Sequence, residues 1–241
     1  MIPEEQIITA VEVYDGAHVD GEEFKKLFKA TEECNIKIKE AYGDKAYFRR
    51  PILDLLKEKT VDVYIPVSET VYKLDDSQYS YNKDSDQWFC SFGNYTVEKR
   101  FLRSDSRTRY CYLFNKERCQ NCPNKSECCP RTSQKKLLLG LYTAEFYEYK
   151  QREKTEEFKE KYKKRARHEG KNGEMKRFHG LDRARGYGRK SISTQAKLTA
   201  IAVNIKRIAK LVSSSKTDFI DFLVFYLKKP KILKKFIVIT Y

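Results

Sequence analysis

The stretch IKIKEAYGDKAYFRRPILDLLKEKTVDVYIPV, residues 36–67, decides the fold. Ile36–Glu40 alternates apolar and charged side chains, and Val61–Val67 is rich in β-branched residues, so each predicts a strand. Apolar residues from Ile52 to Leu56 mark a short helix between the two strands. A strand, a helix and a strand in this order predict a parallel α/β unit with a right-handed crossover.

A further strand and helix are expected before this stretch. Ile7–Val13 (IITAVEV) is apolar and β-branched, which predicts a strand. Asp20 with Glu23 resembles a capping box that opens a helix through about Glu33. The front of the chain should therefore alternate strands and helices, as α/β folds do.

Asp44 is the first candidate functional residue. In parallel α/β sheets, functional residues lie at the carboxyl ends of the strands. Asp44 has this position, directly after Ile36–Glu40, and Gly43 before it permits a sharp exit from the strand. An aspartate in an ordinary turn is the alternative interpretation, because aspartate side chains bond to turn backbone.

A second candidate site lies in YKKRARHEGKNGEMK, which spans Tyr162–Lys176. On a helix at about 100° per residue, one face carries four residues of this stretch within a roughly 60° arc: Tyr162, Arg165, Glu169 and Lys176. One carboxylate with an aromatic hydroxyl and two cations suits a phosphodiester held beside a metal ion. A solvated, charged helix is the alternative interpretation.

The charge of the chain is unevenly distributed. The 241 residues carry a net charge of +15. Residues 1–75 hold 11 basic and 16 acidic groups, whereas residues 150–210 hold 20 and 7. An acidic front and a basic back are typical of a carboxylate centre beside a surface that binds a polyanion, and nucleic acid is the expected partner. Ribosomal or membrane-surface binding would also explain the basic part.

The sequence predicts a cytoplasmic protein. No basic leader precedes the first apolar run, and the late apolar run Phe219–Leu227 is too short to cross a bilayer. The seven cysteines are therefore expected to be thiols or metal ligands rather than disulfides. Cys119, Cys122 and Cys128 have nearly the spacing of a zinc site, which needs a fourth thiolate. Free thiols in a small aromatic subdomain are the alternative, and Cys34 is expected in the core.

The basic back of the chain predicts a phosphate-contacting loop followed by a helix. Glycines near residues 180–188 permit close backbone approach, and arginines bind phosphate with two hydrogen bonds. Leu198, Ile201, Ile205, Ile208 and Val212 step at helical spacing and predict a helix packed on the sheet. His168 and His179 are interpreted as packing or DNA-facing residues. The cationic residues of the loop are Arg183, Arg185, Arg189 and Lys190.

Three separated segments resemble DDE-type insertion-sequence transposases of the Y-R-E-K signature group. In residues 40–66, G-D-x-A-Y is followed by a helix and a strand ending in I-P. From Tyr162 to Lys176 the spacing is Y-(2)-R-(3)-E-(6)-K. FHGLDRARG, residues 178–186, is similar to the family's R-H-G-L-x-R-A-R-G. The resemblance covers about residues 5–212.

This resemblance implies an RNase H-like core in which two aspartates and a glutamate bind Mg²⁺ or Mn²⁺ for cleavage and strand transfer of DNA. Asp44 corresponds to the second of these acids and Glu169 to the third. The signature residues that are expected to contact phosphates at or beside the scissile bond are Tyr162, Arg165 and Lys176. Double-stranded DNA, from insertion-sequence ends and targets, is the implied partner of a nucleoid-associated protein that forms a homodimer when complete.

The resemblance also extends to the cysteines. Cysteine-rich insertions of this group resemble C-(x)n-C-x2-C-P-x(4)-C, which makes Cys90 the first candidate for the fourth zinc ligand. Cys111 and Cys129 are the alternatives. The implied zinc ligands are Cys90, Cys119, Cys122 and Cys128.

One part of the family pattern is missing. The first aspartate of the family precedes the segment that matches Ile7–Val13, whereas Asp15 and Asp20 follow that segment. The sequence therefore predicts the C-terminal part of a transposase, truncated before its first aspartate and its N-terminal DNA-binding helices. A zinc-containing DNA-binding protein without catalysis and an RNase H-like nuclease are the alternative functions.

The expected organisation has four parts. They are the first part of the core (1–69), a cysteine-rich insertion (70–143), a basic helical part with the third acid (144–212) and a tail (213–241).

Overall fold

The computed structural model describes residues 1–214 apart from residues 3, 4, 18, 20, 105 and 106. These residues form two compact units. The first unit combines residues 1–66 with the chain from Glu156 onward, and the second comprises Val67–Thr155. The proposed capping residue Asp20 and almost all of the tail lie outside the described residues. The expected cysteine-rich insertion, 70–143, falls within the second unit.

The protein is a mixed α/β protein. Its helices are α1 (Phe24–Glu32), α2 (Arg50–Glu58), α3 (Lys116–Gln120), α4 (Lys125–Cys128), α5 (Thr143–Glu153), α6 (Glu156–Tyr162), α7 (Ala166–His179) and α8 (Gly188–Ser214). Its strands are β1 (Glu40–Tyr42), β2 (Asp62–Tyr64), β3 (Tyr79–Asn82), β4 (Gln87–Cys90), β5 (Thr96–Arg103), β6 (Thr108–Phe114) and β7 (Lys136–Gly140). None of the described helices is long and apolar enough to cross a bilayer.

The predicted strand–helix–strand arrangement in residues 36–67 is confirmed. β1 pairs with β2 in parallel, with Glu40 opposite Asp62 and Tyr42 opposite Tyr64. α2 connects the two strands, begins with a proline in its first turn and buries one apolar face. β1 begins at Glu40 rather than at Ile36, but Asp44 still follows its carboxyl end. The buried residues of α2 are Ile52, Leu53 and Leu56.

The predicted strand at Ile7–Val13 is wrong. This segment belongs to none of the strands found in the described residues, although Ile7 forms an isolated bridge with Ile2. The backbone N–H of Ile8 donates to the carboxamide of Asn204 on α8, and that carboxamide donates to the Ile8 carbonyl, each over 2.8 Å. The Asn204 side chain thus satisfies the buried backbone groups of Ile8, as a neighbouring strand would do.

α8 is a helix, as predicted, but as far as Asn204 it buries a different face, and Val212 of the predicted stripe is buried near its end. Leu198 and Ile205, two residues of the predicted apolar stripe, are 62% and 61% exposed. The buried face instead carries Ala196, Ala200 and Val203. The small alanines let α8 approach closely, and the hydrogen bonds of Asn204 fix which side faces inward. The residues that pack against this face are Ile8, Val11 and Met175.

The helical chain before the signature is interrupted, whereas the helix within the signature is continuous. The chain from Thr143 to Tyr162 forms two helices, α5 and α6, separated at Lys154 and Thr155. α7 runs without a break through Gly170 and Gly173, and it ends at Gly180, which has the left-handed φ of +66°. The signature therefore lies on a 3₁₀ turn (Lys163–Arg165) followed by a regular helix.

The second unit is built from antiparallel strands. β3 and β4 form a hairpin, and β5, β6 and β7 form a three-stranded sheet. Trp88 lies on the second strand of this hairpin and is fully buried. α3 and α4 follow β6; α3 carries Cys119, α4 ends at Cys128, and Cys122 lies between the two helices. The core of the unit consists of Trp88, Tyr112, Phe114, Cys119, Leu137 and Leu139.

Candidate active site and cysteine pocket

Asp44 is held at the end of β1 by the turn that it caps. Its Oδ1 accepts the backbone N–H of Ala46 over 2.9 Å, at the start of a short 3₁₀ turn. Gly43 is needed for packing, because a Cβ there would lie 3.2 Å from Tyr47 and 3.3 Å from Ile65. The other carboxylate oxygen, Oδ2, faces Arg165.

The structure brings Asp44 and Glu169 to the same guanidinium group. Arg165 places Nη1 2.9 Å from Glu169 Oε1 and Nη2 3.8 Å from Asp44 Oδ2. Arg165 and Glu169 are four residues apart, one turn along the signature, so that both reach the strand end from one side. Both carboxylates remain partly exposed, so a cation from solution can reach them.

Tyr162 adds a hydroxyl to the same group. Its ring stacks on Phe158 with a centroid separation of 5.8 Å, and the Arg165 guanidinium lies 5.9 Å from the ring centroid. Burial raises the pKa of Tyr162 above its usual value; Arg165 opposes this rise, and the carboxylates of Asp44 and Glu169 add to it. The hydroxyl therefore stays protonated at neutral pH and can donate a hydrogen bond to a phosphate oxygen.

Lys176 lies on the same face of α7, seven residues beyond Glu169. Seven residues of α-helix advance by about 10.5 Å, so Lys176 does not join the carboxylate group directly. Its side chain is exposed. The structure thus brings together four of the five residues expected around the reacting phosphate.

A cavity of about 750 Å³ opens beside these residues. Asp44, Arg165 and Glu169 lie on its wall, together with the residues before and along β1 and apolar side chains of α1. His168 also lines the cavity. Its Nε2 is buried without a hydrogen-bond partner in the described structure, and burial lowers its pKa to about 4. His168 is therefore neutral in the physiological range and adds no charge to the cavity.

Sequence reasoning missed a second carboxylate centre in this unit, at Glu40. Its carboxylate is bound by the side chains of Lys161, Tyr42 and Lys164. The hydrogen bond from Lys161, followed by the one from Tyr42, lowers the pKa of Glu40 to about 2. Glu40 and Tyr42 are two residues apart on β1, so their side chains point to the same face. Lys161 and Lys164 are three residues apart, a spacing that places them on one side of a helix. These two spacings could have indicated the contact.

The basic loop between α7 and α8 is held by one side chain. The carboxamide of Gln195 donates to the carbonyls of Gly180 and Arg183 over 2.9 and 2.8 Å, and it accepts the N–H of Arg185 over 2.9 Å. The predicted phosphate-binding residues are all exposed; they are Arg183, Arg185, Arg189 and Lys190. His179, at the end of α7, lies near Glu174 and Lys206 and does not face this loop's arginines in any described contact.

Five of the seven cysteines line a single pocket of the second unit. The pocket has a volume of about 430 Å³, and its thiols are those of Cys90, Cys119, Cys122, Cys128 and Cys129. The predicted zinc ligands are thus neighbours, and Cys129 joins them. Cys111 is buried on β6 and is not part of the pocket lining. Cys34, in the first unit, is only partly buried and donates to the Ala30 carbonyl.

Cys119 is the cysteine of this pocket whose sulfur accepts two N–H hydrogen bonds. Its Sγ accepts hydrogen bonds from the side chain of Asn94 over 3.1 Å and from the backbone N–H of Lys135 over 3.4 Å. N–H donors directed at a sulfur stabilise a negatively charged thiolate. Among the described residues, however, no three His, Cys, Asp or Glu side chains are gathered closely enough to hold a metal ion.

The comparison with protein families matches residues 91–209, about half of the chain, to a transposase DDE domain. This chain contains a transposase DDE domain. The matched part of this DDE-type transposase includes the signature, the basic loop and most cysteines of the pocket, whereas Asp44 lies before it. No curated protein matches the chain, and no solved structure does. The roles of the individual residues stay predictions.

Proposed function

We propose that this chain takes part in metal-dependent cleavage and strand transfer of insertion-sequence DNA, with Asp44 and Glu169 as acidic residues of the active site. The observation that carries the proposal is the shared contact with Arg165, which joins two carboxylates 125 residues apart in sequence. Both carboxylates line one cavity. The hydroxyl of Tyr162, which can donate a hydrogen bond, lies near them. Two such acids beside cations suit a reacting phosphodiester.

An RNase H-like core is the architecture that we propose for the first unit. Two parallel strands joined by α2 support it, since Asp44 follows the carboxyl end of β1. Glu169 approaches from α7, on a separate helix. The expected homodimer, the association with the nucleoid and the place of the first aspartate stay predictions.

The two carboxylates fit a divalent cation as part of its ligand set. Mg²⁺ and Mn²⁺ prefer oxygen ligands, and Arg165 shows that this site accommodates a positive charge between Asp44 and Glu169. When bound, such an ion activates the attacking oxygen and stabilises the charge on the phosphate. Arg165 would then exchange the carboxylates for phosphate oxygens, which match its two parallel N–H groups.

The other signature residues position the DNA backbone. Tyr162 donates a hydrogen bond from its hydroxyl to a phosphate oxygen near the two acids, and Lys176 neutralises a phosphate about two helical turns away. The exposed arginines between α7 and α8 bind further phosphates. The contribution of these residues is positioning and charge, which are the main requirements of phosphoryl transfer.

Cleavage of DNA that carries the terminal repeats of the element tests this function. The wild-type chain, Asp44→Asn, Glu169→Gln and Glu174→Gln should be compared with Mn²⁺ present. We expect the first two substitutions to reduce cleavage by about 10³-fold. Glu174→Gln is the matched control, because Glu174 lies on the same helix but is paired with Lys171 and Lys206. Equal cleavage by all four proteins would exclude Asp44 and Glu169 from catalysis.

We also propose that the cysteine pocket binds zinc. Four thiolates form a closed tetrahedral site, and the pocket offers five. Cys90, Cys119, Cys122 and Cys128 follow the expected spacing, and Cys129 is the alternative fourth ligand. The sulfur of Cys119 accepts two N–H hydrogen bonds, as ligating sulfurs in metal sites commonly do. Zinc would hold α3 and α4 against β4, because the ligands come from all three elements.

A zinc-containing DNA-binding protein without catalysis is the second candidate function. It is supported by the cysteine pocket and by the exposed basic residues between α7 and α8, neither of which depends on Asp44 or Glu169. The cleavage experiment separates the two functions, because a purely binding protein would retain DNA affinity and show no Mn²⁺-dependent cleavage.

A further inference from the structure

We infer that the segment between α7 and α8 binds unpaired nucleobases, with Phe178 and Tyr187 as stacking platforms. This inference rests on the proposed DNA-directed function and adds to it the form of DNA that is recognised. It concerns residues outside the carboxylate group.

Phe178 and Tyr187 are the two most exposed large hydrophobic side chains of the described residues. Phe178, on the last turn of α7, is 77% exposed, and Tyr187, directly before α8, is fully exposed. An exposed aromatic ring lacks the stabilisation that burial of its apolar surface would provide. Neither ring packs on another aromatic ring within the described part of the chain, so folding does not explain their positions.

Both rings border a segment whose conformation is fixed. Gln195 bonds to Gly180, Arg183 and Arg185 and so fixes the backbone between the two aromatic residues. The Arg185 guanidinium lies so close to Gly180 that a Cβ there would be 2.7 Å from it. An ordered segment loses less conformational entropy when a ligand binds, so exposed rings at its ends are suited to binding.

The charge around the rings selects the partner. Residues 177–190 contain five basic residues and a single acidic one, Asp182. Exposed rings alone would suit many apolar partners, but rings among arginines suit a ligand with both flat faces and phosphates. Nucleic acid has both, and stacking of a base on an aromatic side chain strengthens binding. The basic residues are Arg177, Arg183, Arg185, Arg189 and Lys190.

The bases must be unpaired to reach these rings. In an intact duplex the base faces are covered by stacking, and only the edges are open in the grooves. Bases that are extruded, frayed at an end or single-stranded expose their faces. Because every base has a flat face, the contact should carry little sequence preference. The segment is therefore suited to locally opened DNA, whose bases would stack on the rings and whose phosphates would contact the arginines.

Fluorescence anisotropy with the full chain tests this inference. The two probes are a fully paired duplex and the same duplex with a short run of unpaired thymines. We expect the wild-type chain to bind the second probe more tightly. Phe178→Ala and Tyr187→Ala should each reduce the preference for the probe with unpaired thymines by about 5- to 100-fold. Tyr187→Trp should keep this preference. Affinity for the fully paired duplex should be unchanged.

The matched control is Leu198→Ala, which removes an exposed apolar side chain from α8 away from the basic segment. All four substitutions are at exposed positions, and far-UV circular dichroism would verify folding. A wild-type chain that binds both probes equally well would overturn this inference and leave the proposed function intact. Failure to bind either probe would overturn both. Loss of affinity for the paired duplex in Tyr187→Ala would assign the ring to duplex contacts and contradict base stacking.

Discussion

The two pockets of this protein offer opposite kinds of ligand atoms. The cavity of the first unit presents the carboxylates of Asp44 and Glu169, which are partly exposed and share Arg165. The pocket of the second unit presents five thiols, among which Cys119 is buried and bound by N–H donors. Oxygen atoms in an open site suit an ion that exchanges with solvent, whereas buried thiolates suit a permanent structural ion.

Glu40 shows what a purely structural carboxylate looks like in the same unit. It lies four residues before Asp44 and has three hydrogen-bonding partners, from Lys161, Tyr42 and Lys164. Asp44 and Glu169 share one cationic partner, with one of the two contacts as long as 3.8 Å. A carboxylate with several close partners stabilises the fold, and one with a single shared partner remains available to a ligand.

Removing the thiols should have the largest effect on stability. Metal analysis should find about one zinc per wild-type chain. Replacing Cys119 and Cys122 by serine should abolish this zinc binding. With zinc at a thousand times its dissociation constant, the second unit should lose about 4 kcal/mol of unfolding free energy. Cys34→Ser is the control, because Cys34 lies in the first unit. Absence of zinc from the purified wild-type protein, with every thiol still reactive after zinc is added, would contradict the zinc site.

The exposed arginines should dominate the affinity for DNA. Neutralising Arg183, Arg185 and Arg189 should reduce the slope of log K against log salt by about 2–3, because each phosphate contact contributes about 0.9. Asp44→Asn should leave this slope unchanged, which separates binding of DNA from binding of a cation. Filter binding over a salt series measures both. An unchanged slope in the arginine variant would mean that this loop faces away from DNA.

Glu40→Gln should have a smaller effect that depends on pH. The folded-state pKa of Glu40 is depressed to about 2 from 4.5, so its contribution is present above about 4.5 and disappears as the pH falls toward 2. At neutral pH the variant should lose about 1–2 kcal/mol of unfolding free energy, since the pair is partly solvated. Urea denaturation at neutral and acidic pH measures this difference.

The control for Glu40 is Asp54→Asn, which removes an exposed ion pair with Arg50 and should change stability by less than about 0.5 kcal/mol. Equal losses for both variants at neutral pH would mean that Glu40 is an ordinary surface carboxylate. The comparison between Glu40 and the Asp44 site would then fail.

The sequence predicted those elements whose residues interact within one segment. β1, α2 and β2 follow one another and are specified by local periodicity, so their order and parallel pairing were expected. Ile7–Val13 has the composition of a strand, but its partner is Asn204, 196 residues away, and side-chain pairing of that kind leaves no periodic signal. The composition of a segment does not specify what it bonds to.

The orientation of α8 could not be predicted for a similar reason. Two faces of this helix are apolar, and the larger side chains at Leu198 and Ile205 suggested the wrong one. Close packing against Met175 favours the alanines instead. The meeting of Asp44 and Glu169 was expected from family resemblance alone, since 125 residues separate them. The contacts of Glu40 were missed because no motif includes it.

The most direct test of the central claim is Mn²⁺ binding by isothermal titration calorimetry. Four variants should be compared with the wild-type chain: Asp44→Asn, Glu169→Gln, Glu40→Gln and Glu174→Gln. If Asp44 and Glu169 form one cation site, each of their substitutions should weaken Mn²⁺ binding by at least about tenfold. Glu40→Gln and Glu174→Gln should bind as the wild type does. Equal affinity in all five proteins would contradict a shared cation site at Asp44 and Glu169.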